Sequence, residues 1–107
     1  MATRDYSSKQ EKKVAKKFKG KVQPNSGATM FAKGDVVLDD WLIECKTKTS
    51  ISQSISIKKE WLEKNEEEAF AMGKSYHALC FDFGDGKNYY IVTEKEFERI
   101  VNCEEVR

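Results

Sequence analysis

The chain has 107 residues, 39% hydrophobic and 35% charged, which suits a folded domain with a heavily charged surface and excludes a disordered chain. The 19 Lys/Arg and 18 Asp/Glu leave a net charge of only +1, so gross charge alone names no partner. No apolar run approaches the ~20 residues that cross a bilayer, and the length fits a single domain over residues 1–107.

In chain order, Ser8-Lys9-Gln10-Glu11 matches a capping box and predicts a helix from Ser8. Val14, Ala15 and Phe18 give it a narrow apolar stripe, and Gly20 ends it. Lys21-Val22-Gln23 predicts a short strand, followed by a loop through Pro24-Asn25-Ser26-Gly27-Ala28. Gly34 to Leu38 and Trp41 to Lys46 read as two strands around a tight turn at Asp39-Asp40. A polar stretch over 47–56 reads as a loop. Ser56 then caps a second helix from Ile57 to Met72, stopped by Gly73 and carrying Glu66, Glu67 and Glu68 as its solvated acidic face. Tyr76 to Phe83 and Asn88 to Val92 are strands around the turn signal Gly84-Asp85-Gly86-Lys87. Thr93-Glu94-Lys95-Glu96 is a further capping box, opening a helix through Phe97, Ile100 and Val101. The order α-β-β-β-α-β-β-α predicts an α/β fold, a mixed sheet packed by helices.

Charge is unevenly spread. Residues 1–34 hold nine Lys/Arg against two acids, whereas residues 35–107 hold ten against 16. Such a basic segment is either a face that meets a polyanion or a solvated helix face. Cys45, Cys80 and Cys103 are widely spaced and His77 is the single histidine, so no zinc site is expected and the thiols read as reduced. The first residues lack an apolar segment, which predicts no secretory leader and a cytoplasmic location.

The hairpin at 34–46 carries the chemistry. A turn centred on Asp39-Asp40 sets Val37 against Leu42, Val36 against Ile43 and Asp35 against Glu44. Two carboxylates directly opposite, with Cβ atoms about 4.5–5.5 Å apart, are destabilising unless something compensates. Glu44 and Lys46 are two residues apart on one strand and share a face. Asp35, Glu44 and Lys46 thus converge. Two carboxylates can hold Mg²⁺, the Cys45 backbone carbonyl between them can add a ligand, and Lys46 can act on a water or on developing negative charge. The other reading is that the three merely lie at exposed strand ends.

Gly34-Asp35, followed after eight residues by Glu44-Cys45-Lys46, resembles the PD-(D/E)xK nuclease motif, with Gly34 where that motif has proline. The wider run Glu11, Ser26-Gly27, Gly34-Asp35 and Ile43-Glu44-Cys45-Lys46 resembles archaeal-type Holliday junction resolvases and their phage relatives. The resemblance implies a restriction-endonuclease-like fold and a metal-dependent endonuclease, with Mg²⁺ replaceable by Mn²⁺. It implies a substrate of branched DNA such as a Holliday junction, cut by a homodimer. Glu11 matches a helix acid near the metal, although as a sequence it also completes the capping box with Ser8. Ser26, with Asn25 and Gly27, matches a loop that contacts DNA backbone, although Asn-Ser-Gly is also an ordinary turn. Lys12, Lys13, Lys16 and Lys48 are the expected phosphate contacts. Other readings stay open: a nicking or flap endonuclease of the same fold, a non-catalytic DNA-binding module, and a protein-interaction or inhibitor domain.

Overall fold

The computed structural model describes residues 2–24, 34–48 and 50–102. Its elements are α1 (Ala2–Phe18), β1 (Lys21–Pro24), β2 (Gly34–Val37), β3 (Trp41–Lys46), α2 (Lys59–Ala71), β4 (Tyr76–Phe81), β5 (Tyr89–Ile91) and α3 (Glu94–Val101), in the order the sequence predicts. The strands form one mixed sheet in the spatial order β1-β2-β3-β4-β5. β3 and β4 run parallel and all other neighbours are antiparallel. A parallel pair cannot be closed by a tight turn and needs a crossover, which α2 provides. Among the described residues no helix is long and apolar enough to cross a membrane.

α1 begins six residues before the predicted start, so Ser8 lies inside the helix rather than at its N-cap. The stripe itself holds: Val14 and Ala15 are buried, packing with Val36, Ile43, Cys45 and Cys80 into the core on one face of the sheet. Phe18 does not join them. It is largely exposed and meets Tyr90 edge-on at 6.0 Å. The helix ends on Lys19, which takes the left-handed conformation at φ 59°, while the Gly20 N–H reaches back to the Ala15 carbonyl at 2.8 Å. Gly20 is required for a different reason from the one its position suggests. A Cβ there would lie 2.8 Å from the Val37 carbonyl oxygen and against Leu38 Cδ2, so α1 leaves the sheet over the β2–β3 hairpin at backbone contact distance.

The other face of the sheet belongs to α2. This helix starts at Lys59, two residues later than predicted, with Lys58 rather than Ser56 at the N-cap and no side-chain cap bond. Gly73, at φ 75°, follows its end as expected. α2 is fixed by a buried polar chain. Asn65 Nδ2 donates to the Leu42 carbonyl at 3.4 Å, and its Oδ1 lies 3.2 Å from His77 Nδ1. His77 Nε2 lies 2.9 Å from Glu96 on α3, whose N-cap Thr93 accepts from the Glu96 N–H and also contacts the Glu96 carboxylate. Arg99 Nη1 donates to the Ser75 carbonyl at 3.0 Å and its guanidinium lies over the Tyr76 ring, which stacks on Trp41 at 4.7 Å. α3 is therefore docked through polar groups, and Phe97, Ile100 and Val101 face outward.

Candidate functional site

The β2–β3 hairpin has the predicted register, with Asp35 paired to Glu44, Val36 to Ile43 and Val37 to Leu42. The Leu38 N–H donates to the Trp41 carbonyl at 3.0 Å, closing the turn at Asp39-Asp40. From outside, Lys74 Nζ donates to the Leu38 and Asp39 carbonyls at 2.7 and 3.0 Å. Strand alternation does the rest. Val36, Ile43 and Cys45 enter the core beneath α1, so Asp35, Glu44 and Lys46 project to the α2 face.

There the side chains meet. Lys46 Nζ lies 3.4 Å from Glu44 Oε2 in a pair whose side chains are 14% and 1% exposed. A third carboxylate arrives from α2: Asp35, Glu44 and Glu68 each present an oxygen within 4.8 Å of the others. The Lys46 ammonium also lies 4.1 Å from the centroid of the Trp61 ring. Three carboxylates so close repel one another unless positive charge is shared among them. The Lys46 ammonium supplies some of it, and a hard divalent cation, which takes carboxylate oxygens, is a kind of group that could add more. The donor set thus fits a metal of the Mg²⁺ type.

Glu68 is the residue that reading the sequence missed. It stands in a run of three glutamates assigned to solvent, and Glu66 and Glu67 are indeed exposed. The signal was helical spacing: Trp61, Asn65, Glu68 and Ala69 fall at i, i+4, i+7 and i+8, and Asn65 and Ala69 are the buried residues of α2. Glu11 shows the opposite outcome. It is 8% exposed, but it sits on α1, on the Val14 and Ala15 side, and is not part of the three-carboxylate group.

Cys45 splits as expected into a backbone on β3 and a thiol in the core. Hydrogen bonding to Cys80 pushes the Cys45 thiol pKa far up from its ordinary 9.0, helped by burial and by the charges of Cys80, Glu11 and Asp35. As acceptor of that bond, Cys80 is lowered. Gln10 of α1 ties this core to the site: its Nε2 donates to the Lys46 carbonyl at 2.9 Å and approaches Cys80 Sγ at 3.8 Å and Asn88 Oδ1 at 3.3 Å.

Of the expected phosphate contacts, Lys12 and Lys16 are exposed on α1. Lys13 donates to the Gly86 carbonyl at 2.7 Å, so it braces the β4–β5 loop. Lys48 is half-buried just past β3. Asn25, Ser26 and Gly27 lie outside the described residues. Comparison with protein-family profiles, with curated proteins and with solved structures finds no match to this chain.

Proposed function

We propose that this chain is a metal-dependent endonuclease of the PD-(D/E)xK kind, with a restriction-endonuclease-like fold, hydrolysing DNA phosphodiester bonds and preferring branched DNA such as a Holliday junction. One observation carries the reading: Asp35 faces Glu44 across an antiparallel pair, and the Lys46 ammonium stands 3.4 Å from the buried Glu44 carboxylate. As a purely structural device this set is costly, because burying charge and opposing two carboxylates both destabilise a fold. As a hydrolytic device it is economical.

In this reading Asp35, Glu44 and Glu68 hold Mg²⁺ or Mn²⁺, with the Cys45 carbonyl as a further oxygen ligand. When bound, such an ion lowers the pKa of a coordinated water and offsets charge on a phosphate. The chain's own part is positioning and electrostatics. Lys46 offers a donor to the attacking water or to a non-bridging phosphate oxygen, where negative charge grows in the transition state. Lys12, Lys16 and Lys48 set affinity and salt dependence without reading bases. A branched junction has two-fold character, which a homodimer matches with two incisions.

The test compares linear duplex, flap and four-way junction DNA, each with Mg²⁺ and with EDTA, for wild type and Lys46→Ala. Metal-dependent cutting that disappears in Lys46→Ala supports the enzyme, and the best-cut DNA names the substrate. Tight binding without cutting in any metal would leave a DNA-binding module in its place. Absence of DNA binding at low salt would rule out both.

A further inference from the structure

Lysine is a poor choice for a fixed catalytic cation, because its charge rides on a flexible four-carbon stem. Rates fall steeply when a reacting group is misplaced by about 1 Å, so a lysine in such a role needs something to hold its far end. In this protein the Lys46 ammonium has both a carboxylate, Glu44 Oε2 at 3.4 Å, and an aromatic face, the Trp61 ring at 4.1 Å, beside it. Attraction of an ammonium to an indole face extends to about 6 Å, so 4.1 Å is well within it.

These anchors differ in kind. Glu44 is also a proposed metal ligand, and a carboxylate shared with a divalent cation holds an ammonium less firmly. The indole quadrupole is not shared, and its attraction strengthens as water is excluded. Trp61 is itself well placed to serve. It lies in the first turn of α2, and one turn further on Asn65 is locked to the Leu42 carbonyl of β3 and to His77 of β4. The ring and the strand that bears Lys46 are thereby parts of one braced unit.

We infer that Trp61 is a positioning residue for Lys46, holding the ammonium at the scissile phosphate's side of the site when Glu44 is engaged by metal; this rests on the nuclease reading above. The aromatic face matters rather than the bulk, so Phe should substitute and an aliphatic residue should not.

Two measurements test it on Trp61→Leu and Trp61→Phe. The first needs no activity. In a ¹³C-lysine-labelled sample, one Cε methylene resonance, identified by its loss in Lys46→Met, is shifted upfield by the ring in wild type. It returns to the ordinary lysine position in Trp61→Leu and keeps part of its shift in Trp61→Phe. Absence of any shifted lysine resonance in wild type, or a shift that survives in Trp61→Leu, would overturn the inference. The second is kinetic. On the best-cut DNA, Trp61→Leu loses about 2- to 30-fold in kcat, the range expected of a cation–aromatic contact, with KM and the metal half-saturation within about twofold of wild type. Trp61→Phe recovers most of the loss. Unchanged kcat in Trp61→Leu, a loss carried by KM or metal affinity, or a Phe variant as poor as Leu would also overturn it. A wild type that cuts no DNA fails the nuclease reading itself and takes the positioning role with it, whereas a wild type that cuts with an indifferent Trp61→Leu fails this inference alone.

Discussion

Replacing His77 by Leu should destabilise the protein far more than its size suggests, and replacing Glu96 by Leu at the same time should restore much of the loss. The ring lies between Asn65 Oδ1 at 3.2 Å and Glu96 Oε2 at 2.9 Å, and Glu96 is 3% exposed. His77→Leu leaves that carboxylate in the interior with Thr93 as its remaining side-chain partner among the described residues. Removing one member of a buried pair costs about 3–5 kcal/mol, chiefly because the survivor stays desolvated. Against a total of about 5–15 kcal/mol, that brings the domain near its limit, and lowers Tm on the order of 20 °C. Replacing both groups by apolar side chains removes the stranded charge, so the double variant should recover about half or more of the loss. Urea unfolding of the four proteins measures this, provided the slope stays constant across the set. The coupling between the two substitutions should be about 2–3 kcal/mol, and a cycle additive within about 0.5 kcal/mol would refute the reasoning.

Two further outcomes follow from the site and its core. Glu68→Gln should leave the fold intact and weaken metal binding about tenfold, so a Mg²⁺ concentration that stabilises wild type by about 2.7 kcal/mol (about 100 times its Kd) should stabilise the variant by about half as much; Mg²⁺ titration with calorimetry and melting checks it, and equal metal responses would remove Glu68 from the site. The Cys45 thiol pKa is raised in the folded protein, above its ordinary 9.0, by hydrogen bonding to Cys80 and by burial. The unfolded chain therefore loses that proton first as pH rises, so the contribution is intact below about pH 9 and declines above it. Because the same bond lowers Cys80, the two thiols are replaced together: the Cys45→Ala/Cys80→Ala double variant should flatten the alkaline fall in stability measured by urea unfolding between about pH 8.5 and 10.5, and an unchanged slope would contradict the assignment.

How much of this was legible depends on the distance in sequence between partners. Asp35 and Glu44 sit in one hairpin, whose apolar flanks and tight turn fix the register locally, so their pairing could be read from the chain. Gly20 was legible as a helix stop, but its reason, a close approach to Val37 and Leu38, belongs to packing and leaves no local trace. Ser8 and Glu11 formed a plausible cap because the spacing fits. What defeats that reading is a helix continuing back to Ala2, which one short pattern cannot foresee. Glu68 was hidden by composition: next to Glu66 and Glu67 it looks like solvated charge, and only the position of Asn65 on the inner face marks it out. His77 had no visible partner in sequence because Asn65 and Glu96 reach it from different helices. Polar groups buried against distant elements leave little periodic signal, and most of what supports this site is of that kind.

The parallel pairing of β3 and β4 decides when the site can exist at all. The hairpin with Asp35, Glu44 and Lys46 is local and can close on the microsecond timescale of a β-hairpin. Glu68 and Trp61 are carried on the crossover, and the crossover is seated only when β4 has found β3 across the intervening 29 residues and α2 has packed down. A nascent or half-unfolded molecule therefore holds two acids and a lysine without the third acid or the indole. In the nuclease reading proposed above, the capacity to cut would be the last property the chain acquires and the first it gives up, and partly folded copies would be harmless to the DNA around them.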